Sequence, residues 1–159
     1  MKQHTYRIQM DWTGNDGDGT KSYRSYRRDH TLFVPGRAPI MGSSDPAFRG
    51  DPTRYNPEEL LVGSLSSCHM LWYLHLCAVN DVVVTEYHDN ATGFMDEADE
   101  GFGSFVRVEL APVVRIAAGS DPAKAHDLHA KAHHYCFISR SVNFPVEITP
   151  VIVASEPAH

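Results

Sequence analysis

Positive charge is scarce in this sequence. Fourteen Lys and Arg face twenty Asp and Glu, a formal charge of −6. Proteins that grip nucleic acid need a basic surplus to neutralise phosphates, so the balance argues against a nucleic-acid partner. Long apolar runs are missing too. No stretch reaches the roughly 18 apolar residues without polar interruption that a membrane span requires, and the opening MKQHTYRIQMDW lacks the apolar core of a secretion signal. These absences lead to the expectation of a cytoplasmic protein with no membrane partner. Cysteine is sparse, at three residues. In a reducing compartment so few thiols do not form a structural disulfide framework, which leaves packing, metal ligation or redox chemistry. No internal repeat is visible, so a solenoid is excluded.

What is present suits one globular domain spanning residues 1–159. The chain is long enough to bury a core without covalent staples. An N-terminal hairpin is expected over 1–34, where HTYRIQMDW alternates, GNDGDG turns and TKSYRSYRRDHTLFV extends. Residues 35–55, rich in Pro, Gly and Ser, read as a long loop that is functional or wraps a surface. A central helix is expected over 56–79. Asn56 suits the N-cap, Pro57 the first helical position, and Glu59 completes an N-x-x-E capping box. Glu58 and Glu59 complement the helix dipole. Apolar or small residues fill nearly every later position to Cys77, which implies burial on all sides with help from a second subunit. A further hairpin is expected over 82–118, with the acidic turn DEADEG at its tip. A second helix over 121–139 is started by Ser120 or Asp121 and Pro122. A last strand covers 146–153, and SEPAH forms an exposed tail. Strands grouped in hairpins beside two helices indicate an α+β fold with antiparallel sheets.

The cysteines separate by position. Cys77 lies nine residues beyond Cys68, on the opposite side of a regular helix, and reads as packing. Cys68 can be a small buried hydrophobe or a reactive thiol. Ser64, Ser66, Ser67 and Gly63 surround it with small side chains, which leave space for a substrate. Cys136 follows His133, His134 and Tyr135 at the end of the second helix. A thiolate at neutral pH needs positive charge or donors nearby, and Arg24, Arg27 and Arg28 in the first hairpin are available. His126, His129 and His133 share a helix face and raise a metal reading, with His69 and His75 on the other helix. A histidine face on an alanine-rich helix is more often polar surface. His69, adjacent to Cys68, points about 100° away and is a poor base for it.

NPEELLVGSLSSCHMLW resembles the N-P-E-[EQ]-L…C helix of the OsmC/Ohr family, the osmotically inducible and organic hydroperoxide resistance proteins. HHYCFISRSVNFPVEI resembles that family's second cysteine motif. GSSDPAFRGDPTRYNPEELL is similar to an OsmC-like subgroup. The resemblance implies an intertwined homodimer, with two long central helices wrapped by sheets from both subunits. It implies a cysteine-based peroxidase for organic hydroperoxides, with Cys68 peroxidatic, Cys136 resolving, Glu58 as supporting carboxylate and Arg28 as active-site arginine, Arg27 being next. No cofactor, metal or flavin is required. The reductant would be a thiol, from a lipoylated protein, thioredoxin or a small molecule. The alternative is a non-enzymatic ligand-binding or redox-sensing member of the fold. Glu58 and Cys68 are about 15 Å apart along a continuous helix, so a site using both needs either a helix break near Gly63 or Glu58 from a second subunit, and the second is expected. Leu65, Met70, Leu71, Trp72 and Phe137 are candidate pocket walls.

Overall fold

The computed structural model describes residues 1–158; His159, the last residue of the expected tail, lies outside them. The chain divides into two compact units, Met1–Leu60 and the residues from Leu61 onward.

The first unit holds a three-stranded antiparallel sheet. Strand β1 (Gln9–Trp12) pairs with β2 (His30–Phe33), and β2 with β3 (Ile40–Gly42). The second strand of the hairpin therefore begins only at His30. The preceding residues make a clasp in which the Trp12 indole N–H donates to the Arg27 carbonyl at 2.8 Å and Asn15 Oδ1 accepts from the amides of Gly17 and Gly19. Charged side chains tie the clasp together. Arg27 binds Asp16 and Asp29, and Arg54 reaches Asp29 and Asp51. The 35–55 segment is more ordered than a loop. It contains β3 and a 3₁₀ turn, Pro46–Phe48, whose N-cap Asp45 accepts from the Ala47 amide at 2.7 Å. Its end returns to its start, the Ser43 amide donating to the Tyr55 carbonyl and the Tyr55 amide to that of Met41. Short polar side chains that bond nearby backbone stand in for hydrophobic periodicity here.

Helix α1 (Pro57–Ala78) begins at the end of the first unit and runs through the second without a break. Asn56 Oδ1 accepts from the Glu59 amide at 2.8 Å, so the asparagine half of the capping box forms. In the second unit α1 buries Leu65, His69, Tyr73, Leu76 and Cys77. This helical stripe packs into two cores. One joins Tyr73, Leu76 and Cys77 to Val114, Ile116, Ala125 and Leu128. The other joins Leu65 to Val108, Leu110 and Val146.

The expected 82–118 hairpin bends. Its first arm forms β4 (Val84–Asp89) and β5 (Thr92–Glu97), its second β6 (Gly103–Leu110) and β7 (Pro112–Ile116). The last strand also divides, into β8 (Val146–Ile148) and β9 (Val151–Ala154), around Thr149 and Pro150. Two small sheets result, ordered β4-β7-β9 and β5-β6-β8. Only part of the antiparallel expectation holds: β6 pairs with β8, and β7 with β9, in parallel. The cause is connectivity. Helix α2 (Pro122–Tyr135) is the crossover between β7 and β8, and such a crossover returns the chain in the same direction. One carboxylate secures the bend. Asp89 Oδ1 accepts from the Ala111 amide at 2.8 Å, and Oδ2 from the Ser66 hydroxyl at 2.5 Å. Gly93 permits the approach of α1 to β5, because a Cβ there would lie 2.6 Å from both Val62 and Phe105.

Candidate active site

All three cysteines are free thiols. Cys68 is partly exposed on the middle of α1, and Cys136 is 1% exposed. The expected second helix, 121–139, is shorter than the sequence suggested. It ends at Tyr135, and Cys136 is its C-cap, with extended backbone at φ −63°, ψ 111°. Phe137 and Ile138 then lead into a 3₁₀ turn, Ser139–Ser141. The residues after Tyr135 leave the helix because the chain must turn toward β8.

This geometry brings Cys68 and Cys136 together. Burial holds the Cys136 thiol protonated, pushing its pKa up to about 11, and the second cause is its neighbour Cys68. The Ser139 amide opposes both, donating to Cys136 Sγ at 3.4 Å. Cys77 sits in the core at 1% exposure, as its position opposite Cys68 requires. Of the small residues near Cys68, Ser64 and Ser67 bond back to the carbonyls of Leu61 and Gly63, and Ser66 serves Asp89. Of the candidate pocket walls, Leu65 is fully buried core, whereas Leu71 and Phe137 are 62% and 66% exposed. Trp72, one helical turn beyond Cys68, stacks on Tyr135 and meets Phe137 edge-on. An aromatic cluster thus joins the helix of Cys68 to the residues flanking Cys136.

Glu58 lies in the first turn of α1, ten positions before Cys68 in an unbroken helix, so it is not brought beside that thiol along the helix. Arg28 belongs to the first unit, where its own turn engages it. Its guanidinium donates to the carbonyls of Tyr26 and Tyr23 and stacks on both rings, at 4.0 and 4.5 Å from their centroids. Arg27 is paired with Asp16 and Asp29.

The histidine reading changes most. His129 faces inward and is 3% exposed, against His69 at 1%. His69 Nε2 and His129 Nδ1 are 2.9 Å apart, and the Tyr73 ring stacks on His129 at 3.8 Å. Burial, followed by the influence of His133, drives the His69 pKa down to about 4; burial and His69 drive that of His129 to about 3. Both rings are neutral near pH 7, so one donates its ring proton to the other. No cluster of three or more His, Cys, Asp or Glu with metal-binding geometry occurs among the described residues. The inward position of His69 follows from the Leu65–Tyr73–Leu76 stripe, and that of His129 from its place beside Ala125, Leu128 and Ala132 once α2 packs on α1.

The comparisons agree with this architecture. The family model described as OsmC-like protein matches residues 50–151. An OsmC-like protein of unknown function from Vibrio cholerae is 31% identical, with a TM-score of 0.82 over 95% of this chain and 100% of that chain. The uncharacterized protein YmaD of Bacillus subtilis is 22% identical over 151 residues, 93% of each chain. An organic hydroperoxide resistance protein from Elizabethkingia anophelis shares the fold, with a TM-score of 0.66 at 18% identity over 97% of this chain and 100% of that one. Two helices and small sheets in this order define an α+β protein of the OsmC/Ohr type. The chain belongs to the OsmC-like family.

Proposed function

We propose that this protein is a thiol-dependent peroxidase that reduces organic hydroperoxides in the cytoplasm, as part of an oxidative stress response. The observation that carries the reading is the neighbourhood of a partly exposed thiol, Cys68, and a buried one, Cys136, on two elements that Trp72 joins through Tyr135 and Phe137. A structural role needs no such pairing. A two-step redox cycle does.

In the cycle the Cys68 thiolate attacks the outer oxygen of the hydroperoxide. The O–O bond breaks, an alcohol leaves with a proton, and Cys68 becomes a sulfenic acid. Cys136 then attacks that sulfur. The S–S bond forms, the S–O bond breaks, and the Cys136 proton departs with hydroxide as water. A thiol reductant, from a lipoylated protein or a small molecule, returns the disulfide to two thiols. Arg28 would polarise the peroxide and favour the thiolate, after release from its turn, and Glu58 would hold the arginine. The unbroken α1 supports a homodimer in which each copy supplies its Glu58 to the other's Cys68. The aromatic cluster of Trp72, Tyr135 and Phe137 suits an apolar peroxide over hydrogen peroxide. Steady-state consumption of cumene hydroperoxide with dithiothreitol tests the assignment. Cys68→Ser should reduce turnover to background, whereas Cys77→Ser should retain it if folded. Turnover by Cys68→Ser equal to the wild type would reject the mechanism.

A further inference from the structure

Cys136 carries a positional problem. It is outside the regular turns of α2, so the helix does not by itself fix where its sulfur points. Yet closing a disulfide demands a narrow geometry, with the two Cβ atoms about 3.5–4.5 Å apart. Something must hold the sulfur.

The contacts show what does. The Ser139 amide donates to Cys136 Sγ at 3.4 Å. The Ser139 hydroxyl lies 3.3 Å from Nδ1 of His133, in the last turn of α2. The Cys136 amide is itself bonded to the carbonyls of Ala132 and His133, and the Arg140 amide donates to the Cys136 carbonyl. A closed loop of contacts therefore runs from α2 through the His133 ring to Ser139 and back to the sulfur. His133 is partly exposed and lines two surface clefts, one beside Ser139 and Arg140. It carries neither of the two thiols' chemistry, and its ring has no other hydrogen-bond partner among the described side chains.

We propose that His133 is a positioning residue for Cys136: acting through Ser139, it anchors the sulfur to α2 in the orientation from which the Cys68–Cys136 disulfide closes. The amide that the clasp presents also supports the negative charge that Cys136 sulfur carries once deprotonated, before it attacks. The inference rests on the two-cysteine cycle for its role in turnover. The clasp itself is independent of any peroxide.

The test uses the whole 159-residue chain and two oxidants. Diamide, an azo oxidant, takes two electrons and two protons from a thiol pair and closes the disulfide without peroxide. Cumene hydroperoxide closes it through the sulfenic acid. Stopped samples are alkylated and the closed fraction is read by mass spectrometry. His133→Ala and Ser139→Ala should each slow closure about fivefold, the worth of one net hydrogen bond. The double variant should be no slower than either, because the two act as one unit. His133→Asn, whose amide can occupy the place of Nδ1, should restore most of the rate. Closure by both alanine variants at the wild-type rate with diamide would overturn the proposal, as would equal slowing by His133→Asn and His133→Ala at matched melting temperature. Should His133→Ala fail to fold, Ser139→Ala against the wild type decides alone. If diamide gives the expected pattern while cumene hydroperoxide closes nothing even in the wild type, the peroxidase reading fails and the clasp stands.

Discussion

Two imidazoles buried against each other make stability depend on pH. His69 and His129 titrate at about 4 and about 3 in the fold, against 6.5 for an ordinary histidine. Between those values the unfolded chain binds protons that the native chain refuses, so stability rises with pH there. The contribution is fully present above about pH 6.5 and is lost as pH falls through the folded values. Melting temperature followed from pH 8 to pH 4 should drop steeply below pH 6.5, and the double variant H69L/H129L should flatten that drop. An identical slope in the variant would remove the pair as its source. The same residues show why this part of the site was hard to read in advance. Spacing placed His126, His129 and His133 on one face, but which edge of that face turns inward depends on α2 meeting α1, sixty residues earlier in the chain. Cys68 and Cys136 stood out from their sequence surroundings. Their pairing was implied by the family resemblance and not by the residues around them, and the end of α2 at Tyr135 was not anticipated.

Among the elements, α1 was the most legible, because Asn56, Pro57 and two glutamates state its start in adjacent letters. The strands were legible as arms, while their bends were not. Nothing in DVVVTEYHDNATGFM announces two sheets; the division needs Asp89 to satisfy Ala111 across the bend and Ser66 on the helix. Parallel pairing was likewise invisible, being a property of the α2 crossover and not of strand composition. Asp89→Ala should leave the Ala111 amide without this carboxylate partner and should cost about 1–3 kcal/mol in urea unfolding. Ser66→Ala, which removes one of the two bonds, should cost less. Equal stability of Asp89→Ala and wild type would show that the bends hold themselves.

At the scale of the whole molecule, α1 poses the largest question. It is 22 residues long, enough by length and composition to cross a membrane, yet most of it is not buried within the chain. Serines and histidines interrupt its apolar residues, and Leu71 is 62% exposed on it, while Phe137 beyond α2 is 66% exposed. The proposed homodimer would cover this face and would bring Glu58 of one copy to Cys68 of the other. Light scattering after size exclusion should report a dimer of about twice 17.7 kDa. Leu71→Glu should shift it toward monomer, because an unpaired carboxylate in an apolar contact is costly. A wild-type monomer at micromolar concentration would exclude the shared site.

The proposed cycle stands or falls on the two sulfurs. Reduced protein treated with one equivalent of cumene hydroperoxide, alkylated and digested, should yield a single new cross-linked species joining the Cys68 and Cys136 peptides, with Cys77 still alkylated. Oxidation confined to Cys68, or a disulfide involving Cys77, would contradict it.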